Sequence, residues 1–300
     1  YALPNNCRAG ACGECKVRVN SGKFDQGFIL DMALPAEERD QGFGLMCMAK
    51  PLEDIIEIEW GTEDNKPKLF PPEENRLYIV TEKYMVSSNI AKLKLKGLGK
   101  PMRFWPGQYV MMGDPKRCYS IANTPNHDNL LELLITKKED GQTSKWVHEE
   151  LQEGSLVKLD GPYGTFIGDP TVDTPVLCLA AGSGLAPIKS LATAALTRGG
   201  FKKPATILFS AKTKKDLIEL GHFSYLGKKY RNFKFHYTLT QEHNPGQLEG
   251  RLTDIIEEKY KDLSSTSIYI AGGKSFVDDC VQKVKELGAK DELVHREQFL

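Results

Sequence analysis

Hydrophobic and polar residues alternate in short runs over the first half of the chain. After residue 170 they give way to longer apolar runs separated by helical stretches. In Lys16-Val17-Arg18-Val19 every second residue is apolar, the period of a strand with one buried face. Asn20-Ser21-Gly22-Lys23 reads as a turn and Ile55-Ile56-Glu57-Ile58-Glu59-Trp60 as a closing strand, together a small N-terminal domain. The polar, Pro-containing stretch 61–72 has the composition of a linker and puts a boundary near residue 68. Alternating runs at 77–80, 91–95, 108–111, 130–137 and 156–159, broken by turn residues, predict an antiparallel β-barrel. One helical stretch, 145–151, interrupts the barrel, with Ser144 placed as its N-cap. From Pro175-Val176-Leu177-Cys178-Leu179 onward strands at 205–210, 234–239 and 267–271 alternate with helices, including 253–260 and 275–287, which predicts an open α/β parallel sheet. The expected division is thus 1–67, 68–170 and 171–300.

Composition narrows the function without naming it. Forty basic residues balance forty acidic ones among 300, and no basic tract occurs, so a nucleic-acid partner is not expected. No apolar run reaches the eighteen or so residues of a membrane span; 176–181 is cut by Gly182-Ser183-Gly184.

The cysteines carry the sharpest signal. Cys7, Cys12 and Cys15 stand at C-x4-C-x2-C and Cys47 follows at a distance, the plant-type spacing for a [2Fe–2S] cluster. The small residues between them, Ala9-Gly10-Ala11 and Gly13, let backbone N–H groups turn toward sulfur. A four-thiolate zinc site, a disulfide pair or unrelated buried thiols are the alternatives, although zinc knuckles more often show two C-x2-C pairs. Cys118, Cys178 and Cys280 remain without a pairing pattern, which fits a reducing compartment and a cytoplasmic location. The chain opens on Tyr1 with the cysteine loop seven residues later, so we expect a preceding segment that supplies covering strands.

Two further groups of residues suggest nucleotide cofactors. Arg117-Cys118-Tyr119-Ser120 offers a cation for a phosphate, an aromatic face for an isoalloxazine or ribityl chain, and a hydroxyl for a flavin N5. Gly141-Gln142-Thr143-Ser144 opens a helix whose free N–H groups suit a pyrophosphate. Alone, the first also fits any barrel strand and the second any helix start. Gly182-Ser183-Gly184-Leu185-Ala186-Pro187 joins a strand to a helix, as in a dinucleotide loop, but lacks a third glycine, and Pro187 equally suits a helix's first turn. Gly272-Gly273, where a cofactor could pass close to the backbone, and the terminal Glu297-Gln298-Phe299 complete the candidates.

Taken in order, these motifs resemble over the whole chain the bacterial oxygenase reductases of the ferredoxin–NADP reductase superfamily. The match includes Phe104-Trp105-Pro106-Gly107-Gln108-Tyr109, Gly161-Pro162-Tyr163-Gly164 and Gly250-Arg251-Leu252-Thr253-Asp254. The resemblance implies a β-grasp-like ferredoxin domain, N-terminally incomplete here, with [2Fe–2S] on Cys7, Cys12, Cys15 and Cys47. It implies FAD on Arg117, Tyr119, Ser120 and Gly141, Gln142, Thr143, Ser144. It implies a nicotinamide dinucleotide on Gly182, Ser183, Gly184, Ala186, Pro187 and near Gly272. Ser120 would sit beside the hydride-accepting atom, Glu297 would support the flavin edge, and Phe299 would either cover the flavin or simply pack. Relatives that read Cys-Gly-Pro-Pro at the last loop contrast with Ala271-Gly272-Gly273-Lys274, so no thiol role carries over there. Glu242 in Thr240-Gln241-Glu242 disfavours a 2′-phosphate, so NADH is expected over NADPH. The expected role is an NADH-dependent reductase that feeds an oxygenase component, a ring-hydroxylating dioxygenase or a monooxygenase, directly or through a separate ferredoxin. The loop 8–14 would face that partner, and a slight basic excess over residues 1–30 hints at an acidic partner face. A deoxysugar-dehydrase reductase and the flavin subunit of a sodium-pumping NADH:quinone reductase use the same modules. The latter usually has a longer first cysteine gap. A zinc-stabilised module with degenerate nucleotide sites is the non-enzyme alternative.

Overall fold

A computed structural model of the chain describes residues 3, 8–11, 13–59, 69–169, 173–242 and 248–299. Its first unit contains β1 (Lys16–Ser21), β2 (Phe24–Asp25), α1 (Ala36–Asp40), β3 (Phe43–Leu45), β4 (Lys50–Pro51) and β5 (Glu57–Glu59). The main sheet has the order β3-β1-β5, and β2 pairs with β4. The alternation of β1 works as expected: Val17 is buried, while Lys16 and Arg18 face out. A small core of Cys15, Ala33, Leu34 and Leu45 lies behind the cysteine loop. The closing strand is shorter than its apolar residues suggested, because Ile55 is 80% exposed and takes no part in a core. Trp60 and most of the linker lie outside the described residues.

The second unit holds β6 (Glu73–Met85), β7 (Ile90–Gly97), β8 (Tyr109–Met112), β9 (Arg117–Ser120), β10 (Leu130–Thr136), α2 (Gln142–Glu149) and β11 (Leu156–Tyr163). Its antiparallel order is β10-β7-β6-β11-β8-β9, and a bridge between Ile121 and Leu133 brings the β9 edge back to β10, which closes a barrel. Alternate residues of these strands, among them Tyr78, Val80, Leu93, Leu95, Leu131 and Leu133, fill the interior. α2 begins three residues before the expected start, and its N-cap is Gly141, not Ser144. Ser144 lies inside the first turn, where its Oγ donates to the Gly141 carbonyl (3.0 Å) and accepts the Lys138 N–H (3.1 Å). Val147 and Leu151 then bury the helix and its C-terminal exit against the barrel core.

The third unit comprises β12 (Val176–Ala181), α3 (Leu185–Thr197), β13 (Ala205–Ala211), α4 (Leu220–Lys229), β14 (Phe233–Leu239), β15 (Leu248–Glu249), α5 (Leu252–Lys259), β16 (Ser267–Gly273), α6 (Lys274–Glu286) and β17 (Val294–Phe299). The sheet runs β15-β14-β13-β12-β16-β17 and every pairing is parallel. Separate apolar cores cover its two faces, which is why Leu177, Cys178, Leu179 and Ala180 are all buried with no polar alternation. β17 escaped the reading of hydrophobic pattern because its sequence, VHREQF, is mostly polar. Among the described residues no helix is long and apolar enough to cross a membrane.

Candidate functional site

The strand β9 sets the centre of the site. It pairs with β8 in the register Tyr109↔Ser120, Val110↔Tyr119, Met111↔Cys118 and Met112↔Arg117. Ser120 is buried and donates from Oγ to Glu297 Oε1 at 2.5 Å, a contact that spans 177 positions of sequence. Burial pushes the Glu297 carboxyl up to about 7, only partly offset by the Ser120 hydrogen bond. Tyr119 is half-buried against the barrel core, and burial raises its hydroxyl to about 12. Arg117 is exposed at the start of the strand.

The loop 141–144 reaches the same place because Thr143 Oγ1 donates to the carbonyl of Pro115, in the turn between β8 and β9, at 2.6 Å. Gly113 in that turn has φ +91, and a Cβ there would run into the Thr143 side chain, so the close approach requires glycine. The Thr143 and Ser144 hydroxyls are engaged within the protein, and what the loop presents outward is the first turn of α2, whose N–H groups have no acceptor inside the helix. Arg117 and Tyr119 stand two positions apart on β9, hence on one face of the strand, Ser120 projects from the other, and the N-terminus of α2 is tied to the turn that precedes them.

On the parallel sheet, β12 runs into Gly182-Ser183-Gly184 and then α3. Gly182 has φ +55 and nothing within 4 Å of where a Cβ would stand, an open backbone suited to a phosphate. Gly184 faces the other way, and a Cβ there would collide with the Ala271 carbonyl at the end of β16. Ala186 and Pro187 are buried in the packing of the first turns of α3. Gly272 is buried against the Phe276 ring, and Phe299, in β17, pairs with Gly273 and is partly buried. The 182–187 loop is tied to the barrel by the Thr136 Oγ1–Ser183 Oγ hydrogen bond of 2.8 Å.

Of the four cysteines, Cys7 and Cys12 lie outside the described residues. Cys15 is buried, Cys47 is partly buried, and the Cys47 N–H points at Cys15 Sγ at 3.4 Å, the kind of donor that suits a thiolate ligand. The loop's left-handed turns at Gly10 and Gly13 fit a backbone wrapped tightly round a cluster. The loop 8–14, expected to face a partner, keeps Arg8, Ala9 and Glu14 exposed and also contacts the barrel. The Arg8 guanidinium lies 4.4 Å from the Tyr163 ring centroid, and Glu14 Oε2 accepts from Thr165 Oγ1 at 3.1 Å. Tyr163 in turn packs beside Tyr109 (ring centroids 5.8 Å apart), and Tyr109 pairs with Ser120. The cysteine loop, β8 and β9 are therefore contiguous. Tyr109 and Tyr163 belong to the motifs Phe104–Tyr109 and Gly161–Gly164, but no spacing in the sequence indicates that Arg8 meets Tyr163.

Comparison with known proteins agrees with this geometry. Family models match for a 2Fe-2S iron-sulfur cluster binding domain over 1–52, an oxidoreductase FAD-binding domain over 78–167 and an oxidoreductase NAD-binding domain over 178–282. The chain is 31% identical to the reductase subunit of an aromatic O-demethylase from Amycolatopsis sp., covering 99% of this chain and 90% of that protein. It is 30% identical to the phenol hydroxylase P5 protein of Acinetobacter pittii, with 99% and 86% covered. The crystal structure of the Amycolatopsis cytochrome P450 reductase GcoB superposes with a TM-score of 0.87 at 30% identity, over 99% of this chain and 90% of that one. The chain belongs to the oxygenase reductase components of the ferredoxin–NADP reductase superfamily, with 2Fe-2S, FAD and NAD(P) modules in that order.

Proposed function

We propose that the chain, divided into modules 1–67, 68–170 and 171–300, takes electrons from NADH and delivers them singly to an oxygenase component. The observation that carries this reading is that the cysteine loop and the dinucleotide loop each dock on the barrel that bears β9, through Arg8–Tyr163 and Thr136–Ser183. Bound between them, FAD would supply the conversion of a two-electron hydride into one-electron transfers. Arg117 and the N-terminus of α2 would hold its phosphates, Tyr119 would pack on its ring or ribityl chain, and Ser120 would hydrogen-bond near the reacting edge. Glu297 orients the Ser120 hydroxyl and, with a pKa near neutrality, can hold or release a proton there. Gly182, Ser183, Gly184 and the start of α3 would receive the nicotinamide dinucleotide, with Gly272 beside it. Phe299, on the edge strand of the same sheet, would close over the ring, and Cys7, Cys12, Cys15 and Cys47 would hold the cluster.

NADH is the preferred donor in this reading. Glu242 Oε2 accepts the Lys214 N–H at 2.9 Å, which fixes a carboxylate between the loops that follow β13 and β14. Nucleotides bind outside the carboxyl ends of such strands, and a carboxylate there suits a ribose 2′-hydroxyl and repels a 2′-phosphate. The acceptor is an oxygenase component of the kind served by the relatives. A cytoplasmic setting is supported by Cys118, Cys178 and Cys280, none of them in a disulfide.

Anaerobic titration with NADH, and separately NADPH, followed by visible absorbance and low-temperature EPR, tests the reading. Flavin bleaching followed by a rhombic signal from a reduced [2Fe–2S] cluster, with NADH preferred, is expected. Bleaching with no cluster signal would reduce the chain to a flavin reductase, and a preference for NADPH would overturn the role given to Glu242.

A further inference from the structure

Four charged side chains, three buried and one partly exposed, meet where the barrel joins the parallel sheet. Lys92 on β7 and Glu132 on β10 belong to the barrel; Lys189 on α3 and Glu219, which precedes α4, belong to the sheet domain. They form a closed ring of alternating sign. Lys92 Nζ stands 3.1 Å from Glu132 and 2.8 Å from Glu219, while Lys189 Nζ stands 2.8 Å from Glu132 and 2.9 Å from Glu219. Three of the side chains are under 10% exposed and Glu132 is 21% exposed. Burial opposes charge on Lys92, Glu132 and Glu219. The two lysines nevertheless hold both carboxyls below the usual carboxylate range, and the two carboxylates hold Lys92 above the usual lysine range.

The ring has a directional consequence. Two of its four contacts, Lys92–Glu219 and Lys189–Glu132, cross the domain boundary; the other two stay within a domain. Glu219 reaches its place with φ +60, an uncommon backbone for a residue with a side chain. Lys189 lies in the turn of α3 that follows the 182–187 loop, and its neighbour Ser190 donates to the Asn123 carbonyl of the barrel at 2.7 Å. On β10, Thr136 lies four residues from Glu132, hence on the same strand face, and donates to Ser183 in the loop itself. Buried ion pairs gain little net stability against apolar packing, so the geometric precision of such a ring is its distinctive contribution.

We propose that this ring positions the nicotinamide loop: by fixing α3 against β7 and β10, Lys92, Glu132, Lys189 and Glu219 set where the 182–187 loop stands relative to β9. None of the four touches the reacting atoms; they act through α3. The proposal rests on reading 182–187 as the nicotinamide dinucleotide loop.

Two charge-neutral double variants of the full FAD- and cluster-loaded protein separate positioning from simple fold support. Lys92→Met/Glu132→Gln changes only barrel residues and removes both contacts that cross the boundary. Lys92→Met/Glu219→Gln also removes one cation and one anion but keeps Lys189–Glu132. In the first variant, amide hydrogen exchange of residues 182–190 should accelerate about tenfold, NAD+ should bind about tenfold more weakly by calorimetry, and the limiting rate of flavin reduction by NADH should fall at least tenfold. In the second, all three should change by no more than about threefold. Equal effects of the two variants, or a lowered melting temperature with exchange, affinity and limiting rate unmoved, would show that the ring only supports the fold. Should the first variant not fold, Glu132→Gln alone is expected to move the same readouts about two- to threefold, and no movement there counts against the proposal. Failure of the unaltered protein to be reduced by NADH or NADPH would instead sink the functional reading, while the exchange measurement still reports on the ring.

Discussion

A buried carboxyl hydrogen-bonded to a barrel serine is the residue-scale feature with the clearest thermodynamic signature. Burial lifts Glu297 from its ordinary value of 4.5 to about 7, so folding favours the protonated form. The stability this contributes is complete below the unfolded-state value and is lost as pH rises through about 7, on the order of 3 kcal/mol. The unfolding free energy of Glu297→Gln, measured with denaturant from pH 4 to pH 8, should therefore lack that loss. An identical pH dependence in parent and variant would contradict the burial argument. Gly184 gives a second prediction, because a methyl group there meets the Ala271 carbonyl and has no room to move into. Gly184→Ala should cost about 2 kcal/mol in thermal unfolding and weaken NAD+ binding, as β12 and β16 are pushed apart at the mouth of the loop. An unchanged melting temperature would mean the strands part freely.

At the scale of elements, α2 is a short helix held at both ends, as the proposed FAD-phosphate site would require. Its N-terminus is tied to the β8–β9 turn by Thr143, and its far end is capped by Lys83 on β6, whose Nζ donates to the His148 and Leu151 carbonyls at 2.9 and 2.7 Å. A cation at the C-terminal end satisfies otherwise unpaired carbonyls and favours the helix dipole. Lys83→Met should lower stability by about 1–2 kcal/mol and speed loss of FAD on dilution, read as the return of free-flavin fluorescence. FAD retention equal to the parent would show that α2 keeps its place through Val147 packing alone. The elements foreseen from sequence were those with a strong apolar period, such as β7 and β12. α4 and β17 were not, since α4 carries two glycines, Gly221 and Gly227, and β17 buries a glutamate instead of a run of apolar residues.

For the whole molecule, the proposed electron transfer would depend on contacts between modules. Arg8 over Tyr163 holds the cysteine loop against the barrel, and its removal loses about 1 kcal/mol of cation–π attraction. Arg8→Ala should slow appearance of the reduced-cluster signal about fivefold after rapid mixing with NADH, with the rate of flavin bleaching unmoved. Cluster and flavin steps that slow together would point to misfolding of the barrel. The sequence by itself determined which chemistries are present and in what order. Cysteine spacing, glycine loops and apolar periods are local properties that persist wherever the chain goes. Only the tertiary structure decided who meets whom: Ser120 with Glu297, Arg8 with Tyr163, and the four charges between barrel and sheet. A buried lysine or glutamate reads in sequence like a surface one, and only its folded surroundings remove the water that would otherwise screen it.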